Sequence, residues 1–547
     1  MMLFPISSIS GLRENLKAAI FFICEVLMLF KRRVRGVVFV AFAALMLSLT
    51  ACGMGGKLKG FEPYEGNARE CANLRIFQIM VSCFQDGDHN IGYSKAWGPN
   101  DALTCGDLQG IINSLDYIKS LNCNAIWMTP IFDSSSGNSG DEKLDSTGYY
   151  AYDFFNIDPK FGTKEKFQEL VTKCHEKGIY VILDGVFGHW NAKGVKKSPN
   201  GNLPVRSHGQ YDGCDYPQSL EFFKEVATYW IKEYKIDGWR LDQCYQAGAS
   251  GNGTYTGGHN YWKEIRAAVK SACAENAAAG EEWGTLGYMV GEDWQGNAST
   301  IQVQVVEGHG LNSCFDFPSR YKIVNSIARE EWNSSTLDFA ESVNNIYSDY
   351  LLKGYEHSDS YLPNLFITNH DVVRFGDLLT WKHGNNNFVE RTKVGLAILA
   401  GYTGPITLYY GDEWGATTGI SAPGENFKFF SNGAAMDNSS RSTGKITGFS
   451  SEEKELVNFT SKLMKVRSEH EALWNGYTTK LVMKGDFFAC KKTDKSGDDV
   501  VYVLLNYSAT EKKFDVGKAG VDLLTNEATE SKVTVPAFGT MFIQPDK

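Results

Sequence analysis

A chain of 547 residues with 43% hydrophobic content has ample material for a large core and is too long for one ordinary domain, although α/β barrels run large as single units. The formal net charge is −10 and no long basic run follows residue 40, which argues against a nucleic-acid partner, since that partner demands a positive footprint. Twelve cysteines show neither CxxC pairs nor zinc spacing. Cys24 and Cys52 fall in the leader described next, and most of the others read as buried small hydrophobes, with one or two disulfides left open.

In chain order, "KRRVRGVVFVAFAALMLSLTAC" (31–52) comes first. Lys31, Arg32, Arg33 and Arg35 form a basic region, an apolar stretch follows, and small residues precede Cys52. This is a secretory signal pattern. Its end, Leu49-Thr50-Ala51-Cys52, resembles a bacterial lipobox, in which the cysteine is lipidated and becomes the first residue of the mature chain. The apolar run is short for a span and stops at the cysteine, although a plain transmembrane anchor is the competing reading. Residues 1–52 are therefore expected to be a leader, and the product an exported bacterial lipoprotein held to a cell-envelope membrane through Cys52. Residues 53–73, opening on the Gly-rich "GMGGKLKGFEPYEGNA", read as a tether.

From residue 74 short apolar runs recur: 74–84, 123–132, 179–189, 236–243, 287–294, 313–318, 364–375 and 405–414. Amphipathic helical patterns lie between several of them, such as "LQGIINSLDYIKSLN" (108–122) and "KEKFQELVTKCHEKG" (164–178). The second stops at Gly178. Eight strand–helix units predict an α/β fold, a (β/α)8 TIM barrel over 74–469. A doubly wound open sheet is the alternative, but no GxGxxG or phosphate loop is present. After about residue 470 the helical patterns give way to "LVMKGDFFACKKT", "VVYVLLNYS" and "SKVTVPAFGTMFIQP". Residues 470–547 therefore read as a C-terminal antiparallel β-sandwich domain.

The chemistry gathers at the ends of the runs. In "KIDGWRLDQ" (235–243), residues two apart share a strand face. Gly238, Arg240 and Asp242 then face one way, with Asp242 at the mouth of a barrel, where active sites form. Arg240 is expected to hold Asp242 ionised, as a nucleophile requires; an ion pair serving only the barrel is the alternative. Asp184 ends the third run and His189 follows it. Glu292 ends the fifth, and His370 and Asp371 end the seventh. Such groups are expensive to desolvate without purpose. Two carboxyls flanking one bond are the machinery of glycoside hydrolysis, and an abundance of rings, 12 Trp and 26 Tyr, suits a cleft that stacks on sugars as well as a core.

Four motifs, "DGVFGH" (184–189), "GWRLDQ" (238–243), "VGEDW" (290–294) and "TNHDVVRF" (368–375), stand in the order and at the strands that resemble the α-amylase family of glycoside hydrolases (family 13). "GYYAYDFFNIDPKFGT" (148–163) and "GPITLYYGDE" (404–413) extend the resemblance, which covers roughly residues 74–547. The resemblance implies Asp242 as nucleophile, Glu292 as general acid and base, and Asp371 as the grip on the reacting sugar. Substrate contact is implied for Tyr149, Asp184, His189, Arg240, His370 and Arg374. Glu292 would need a raised pKa to act as an acid.

Two positions depart from the family pattern. Gly188 replaces the usual Asn before the histidine, and Tyr245-Gln246 replace a common Lys-His after the nucleophile. The Asn and His supply calcium ligands in those amylases, and an oxygen cage lacking both would be poor. No cofactor is expected to be required, and the family's usual calcium is expected to be absent or bound differently. The B-domain loop after the third strand (190–218) is short. Trp127 and Met128 read as core. Asp133, Asp141, Glu142 and Asp145 read as a solvated loop. Trp190 could stack on sugar, and Glu413 reads as structural or supporting. The implied activity is retaining, endo-type cleavage of α-1,4-glucosidic bonds in starch or maltooligosaccharides. A neopullulanase, cyclomaltodextrinase or transglycosylating enzyme is the alternative, and an inactive glucan-binding lipoprotein the rival from another class.

Overall fold

The computed structural model describes residues 68–96, 105–206, 214–247, 259–294, 311, 313–330, 337–348, 363–420 and 440–547. The expected leader, lipidation at Cys52 and the tether up to residue 67 lie outside these residues. No described helix is long and apolar enough to cross a membrane.

Eight parallel strands follow one another: β1 (Arg75–Ile79), β2 (Ala125–Met128), β3 (Tyr180–Gly185), β4 (Gly238–Leu241), β5 (Tyr288–Gly291), β6 (Ser313–Cys314), β7 (Leu365–Phe366) and β8 (Ile406–Tyr409). They pair in chain order from β1 to β6, β7 pairs with β8, and β8 returns to β1. A parallel bridge between Phe315 and Asn364 joins β6 to β7, with Asn364 N donating to Cys314 O at 2.9 Å. The ring is closed, so the fold is the expected (β/α)8 barrel. β1, β2, β5 and β8 are buried at every position, which is why they read as apolar runs without alternation. Ile76, Trp127, Ile182, Tyr288, Phe315 and Phe366 meet in one buried cluster.

The intervening helices obey local rules. Lys164–Glu176 starts at Thr163, whose hydroxyl accepts from Lys166 N at 3.2 Å, and it buries Phe167, Leu170, Val171 and Cys174. It ends before Gly178, which has φ +66°, a conformation that favours glycine. The helix expected over 108–122 is split into Leu108–Asn113 and Leu115–Ser120. Ser114 sits at the break and donates from Oγ to Gly110 O at 2.7 Å, a side-chain bond that competes with the helical ladder.

After β2 a short antiparallel pair, Phe132–Asp133 with Asp153–Ile157, frames a Ser-rich loop. The expectation of a solvated acidic loop is corrected here. Asp133 and Asp145 are buried, Asp141 caps the turn Glu142–Asp145, and Glu142 accepts from Ser94 N and Oγ. Ser136 N donates to Asp133 and Ser139 Oγ to Asp145 from within the loop, while Asp141 stays exposed. No disulfide joins two of the ten described cysteines, and nine of the ten are buried.

The chain then forms β9 (Tyr477–Lys484), β10 (Phe487–Thr493), β11 (Val500–Asn506), β12 (Lys512–Asp515), β13 (Gly520–Asp522), β14 (Glu527–Thr529), β15 (Lys532–Val535) and β16 (Thr540–Pro545). Six of them make an antiparallel sheet in the order β9-β10-β11-β16-β13-β14, and β12 pairs with β15. Phe487, Ala489, Leu504 and Ile543 of the larger sheet pack with Val533 and Val535 of β15, which is the sandwich core.

One buried cation lies where this sheet meets the barrel. Lys492 of β10 donates to Thr403 Oγ1 at 2.7 Å and Thr478 Oγ1 at 2.9 Å, and lies 5.0 Å from the centre of the Tyr347 ring. Burial pushes its pKa down to about 8 from 10.5. Between those values the unfolded chain holds a proton that the native chain releases, so this group adds stability as pH rises. Lys492→Met is therefore expected to melt above the wild type at pH 7, with the difference shrinking towards pH 10. Thermal unfolding of both proteins across that range checks it; a constant difference would mean that the lysine does not titrate there.

Candidate active site

Strand register brings the charged groups together. Asp184 of β3 stands directly opposite Arg240 of β4, and Arg240 opposite Val290 of β5. Asp242 and Glu292 lie one step past their strands and continue the ladder, Asp242 N donating to Gly185 O at 3.0 Å and Glu292 N to Leu241 O at 2.9 Å. Gly238, two residues before Arg240, shares its face, and the position has no room for a side chain, since a Cβ there would lie 2.5 Å from Tyr288 O.

Arg240, 1% exposed, is the hub. Its Nη1 donates to Asp184 Oδ1 at 2.8 Å and to Asp242 Oδ1 at 3.0 Å. Its Nη2 lies 2.8 Å from Glu292 Oε1 as an ion pair without an aligned hydrogen bond. One guanidinium fork thus touches three carboxylates. Asp184 also accepts from Tyr149 Oη at 2.7 Å and Trp127 Nε1 at 3.1 Å. Glu292 accepts from Trp294 Nε1 at 2.8 Å and Gln243 N at 3.1 Å. Asp242 Oδ2 is buried and has no hydrogen-bond partner among the described residues.

Burial pushes the Asp184 carboxyl up to about 6, against the pull of Arg240. Burial also raises Asp242 well above the ordinary carboxyl range. Arg240 lowers it again, while Glu292, Asp184 and Asp371 add to the rise. The expectation that Arg240 holds Asp242 ionised therefore needs correction. The contact exists, but a single cation is divided among three buried acids.

His370 is buried and hydrogen-bonds Gln78 Nε2 through Nδ1 at 2.9 Å and Tyr149 Oη through Nε2 at 2.7 Å. Its ring stacks on Tyr149, 5.3 Å between centres and 6° between planes. Burial, then Arg240 and Arg441, push its pKa well below the usual histidine value, so the ring is neutral. Its Nε2 also lies 3.1 Å from Asp371 Oδ2, and Arg441 Nη2 donates to Asp371 Oδ1 at 2.9 Å. His189 approaches from β3, with Nε2 3.8 Å from Asp242 Oδ2.

The structure thus gathers Tyr149, Asp184, His189, Arg240, Asp242, Glu292, His370 and Asp371. Arg374 stands apart. It is fully buried, donates to Tyr410 O and to Ser442 Oγ, and lies over the rings of Tyr409 and Tyr410, so the structure does not bring it into the charged cluster. Trp190 is buried under Arg206 at 4.9 Å and offers no stacking face to a sugar. Glu413 is structural, accepting from Gly411 N and Tyr117 Oη, and burial pushes it up to about 7. Trp127 and Met128 are buried as expected, but Trp127 also serves Asp184. Sequence reading missed Gln78, Trp294, Gln243 and Arg441. A glutamine inside the apolar run "LRIFQIMV" was a signal for the first; Arg441 has no local one.

The donors of the family's calcium site are not reproduced. Gly188 carries no side-chain oxygen, and a Cβ there would lie 1.8 Å from Gln246 Oε1. The Gln246 side chain fills that space and directs its oxygen at His189 Nδ1, 3.1 Å away. Calcium needs six to eight oxygens at 2.3–2.6 Å in general, and this pair of residues does not fit such a cage.

Comparison with known proteins follows this geometry. The sequence model of the alpha-amylase catalytic domain matches residues 78–198 and 215–476, and that of the beta-galactosidase C-terminal domain matches 494–541. A cyclomaltodextrinase of Thermoanaerobacter pseudethanolicus is 30% identical over 477 residues, which are 81% of this chain and 72% of the relative. A maltogenic alpha-amylase of Bacillus acidopullulyticus is 27% identical, with 82% and 73% covered. The crystal structure of AmyP in complex with maltose shares 36% identity at a TM-score of 0.75, covering 88% of this chain and 98% of that one.

Removing the hub should be costly, because it strands buried carboxylates. Arg240→Met is expected to lose about 3–5 kcal/mol at pH 7. The loss should be smaller at pH 5, where the stranded acids can take up protons. Urea unfolding at the two pH values measures this; equal losses would mean that the carboxylates do not depend on the guanidinium.

Proposed function

Because the chain belongs to the α-amylase family of glycoside hydrolases, we propose that it is a retaining α-glucan hydrolase of the cyclomaltodextrinase or maltogenic-amylase kind. It would open cyclodextrins and shorten maltooligosaccharides at α-1,4 bonds. The observation that carries the mechanism is the pairing of Asp242 and Glu292 on one guanidinium, with Asp242 Oδ2 buried and unpartnered. The preference for this kind over an endo-acting amylase rests on the names of the relatives with which the chain shares more than two thirds of its length.

In this reading Asp242 Oδ2 attacks the anomeric carbon, while Glu292 gives its proton to the departing glycosidic oxygen. The attack needs Asp242 ionised and Glu292 protonated. Water then attacks the glycosyl ester. Glu292 takes its proton, Asp242 leaves, and the product keeps the α-configuration after two inversions. Asp371, held by Arg441 and His370, faces the reacting sugar. Asp184 braces Arg240, and His189 hydrogen-bonds the same ring.

Incubation with β-cyclodextrin, maltoheptaose, pullulan and amylose, with product mass and anomeric NMR, tests the reading. Cyclodextrin and maltoheptaose should be cleaved in preference to amylose, giving α-anomers, with EDTA having no effect. Asp242→Asn should cost at least about 10³-fold in kcat, the scale on which loss of a nucleophile is felt. Preferred, internal cleavage of amylose would return the endo-type reading; glucan binding without cleavage would sink the hydrolase reading altogether.

The same proposal extends to place. A leader ending at Cys52 would put the enzyme outside the cytoplasm on a lipid anchor. Cys52→Ala should then move the protein from the membrane fraction to the soluble fraction on ultracentrifugation. An unchanged distribution would remove the anchor.

A further inference from the structure

The two departures from the family pattern, Gly188 and Gln246, are 58 positions apart in sequence and occupy one volume in the structure. A Cβ at position 188 would lie 1.8 Å from Gln246 Oε1, 2.4 Å from Gln246 Cβ and 2.5 Å from Gln246 Cδ. The overlap reaches the root of the glutamine side chain, so rotating its amide away would not relieve it. Gln246 is 2% exposed and His189 4%, which leaves neither side chain anywhere to retreat. Gly188 is therefore the condition for Gln246 in this position.

The amide so placed has both its ends used. Gln246 Nε2 donates to Gln243 Oε1 at 3.3 Å, and Tyr245 Oη donates to the same oxygen. An acceptor at Gln243 Oε1 calls for the NH2 end of Gln246, which leaves Oε1 for His189 Nδ1 at 3.1 Å. His189 must then carry its proton on Nδ1 and turn Nε2 towards Asp242. Gln243 itself sits in the left-handed region, φ 39° and ψ 57°, directly after Asp242, and its N–H donates to Glu292 Oε2 at 3.1 Å. One chain of contacts runs from Gly188 and His189 after β3, through Gln246 and Gln243 after β4, to Glu292 after β5.

We infer that Gln246 is a positioning residue that latches the loop after β3 to the turn after β4 and fixes the orientation of His189 in the cleft. It does so with a side-chain amide, across a glycine that makes room for it. This deepens the hydrolase reading and rests on it for its kinetic part; its steric part stands without it.

Two cycles of substitution test the inference. In the steric cycle, Gly188→Ala should lower the melting temperature of the wild type, and this cost should shrink by at least half in a Gln246→Gly background, which removes the Cβ that the new methyl group meets. An equal cost in both backgrounds, or none in either, would overturn the shared volume. In the kinetic cycle, Gln246→Leu keeps the length of the side chain and removes its acceptor. On maltoheptaose or β-cyclodextrin, well below the melting temperature, it should lower kcat/KM about ten- to hundred-fold, the range of a misplaced active-site group. In a His189→Ala background the same change should cost almost nothing. A full cost there would mean that Gln246 does not act through His189, and the positioning role would fall. If the wild type cleaves neither glucan, the hydrolase reading fails and the thermal cycle alone decides the latch.

Discussion

A guanidinium removed from water and shared among three carboxylates is the constraint on which the rest of this structure depends. Arg240 is sealed between the rings of Trp127 and Tyr149, 5.1 and 5.7 Å from their centres. It meets Asp184, Asp242 and Glu292 at the ends of three consecutive barrel strands. Burying an arginine costs several kcal/mol unless its charge and its N–H groups are met. Here the charge is met by three carboxylates and Nη1 by hydrogen bonds, which holds only if β3, β4 and β5 keep one register. The interaction that fixes the strand ends is thus also the one that gathers the reactive acids. Stability and chemistry draw on the same contacts.

Around that hub the barrel is divided into two layers. Below lies an apolar layer of Ile76, Ile182, Tyr288, Phe315 and Phe366. Above it the polar groups form a chain around the ring: Gln78 of β1 to His370 after β7, His370 to Tyr149, Tyr149 to Asp184 of β3, and Asp184 to Arg240 of β4. Each link is buried, so each would be expensive if broken, and each has a partner of matching chemistry. A neutral His370 suits this chain, because a second cation beside Arg240 and Arg441 would repel both. Such a network holds its members in one arrangement, which suits a site that must present acids in fixed positions.

The sequence carried the fold well because its signals are local. Apolar runs mark strands buried on both faces, Gly178 stops a helix, and acids stand at the run ends. Asp184, Arg240, Asp242, Glu292, His370 and Asp371 were legible because barrel topology turns a position along the chain into a position at the mouth. What was not legible depends on distance in sequence. Arg441 reaches Asp371 from 70 residues away, and Gln78 reaches His370 from 292. Arg374 stands apart for the opposite reason. It lies in a motif whose neighbours enter the cleft, but at the start of a helix where the chain has turned, and its guanidinium finds carbonyl and hydroxyl acceptors below the rim. The buried acids of the loop 133–145 were misread because composition alone makes a Ser- and Asp-rich segment look solvated. The structure uses the serines as internal donors to the aspartates.

The rings at the rim are joined to the charged cluster more closely than the shared fold suggests. The half-buried rings there are each tied to a member of the charged cluster or to its immediate support. Trp294 gives its indole N–H to Glu292, Tyr245 gives its hydroxyl to Gln243, and Tyr150 lies against His189 with 5.3 Å between ring centres. Replacing one of these rings would release a hydrogen bond or a packing contact that holds Glu292, Gln243 or His189. The latch proposed for Gln246 is of the same kind: it ties one loop to the next, with His189 held between them.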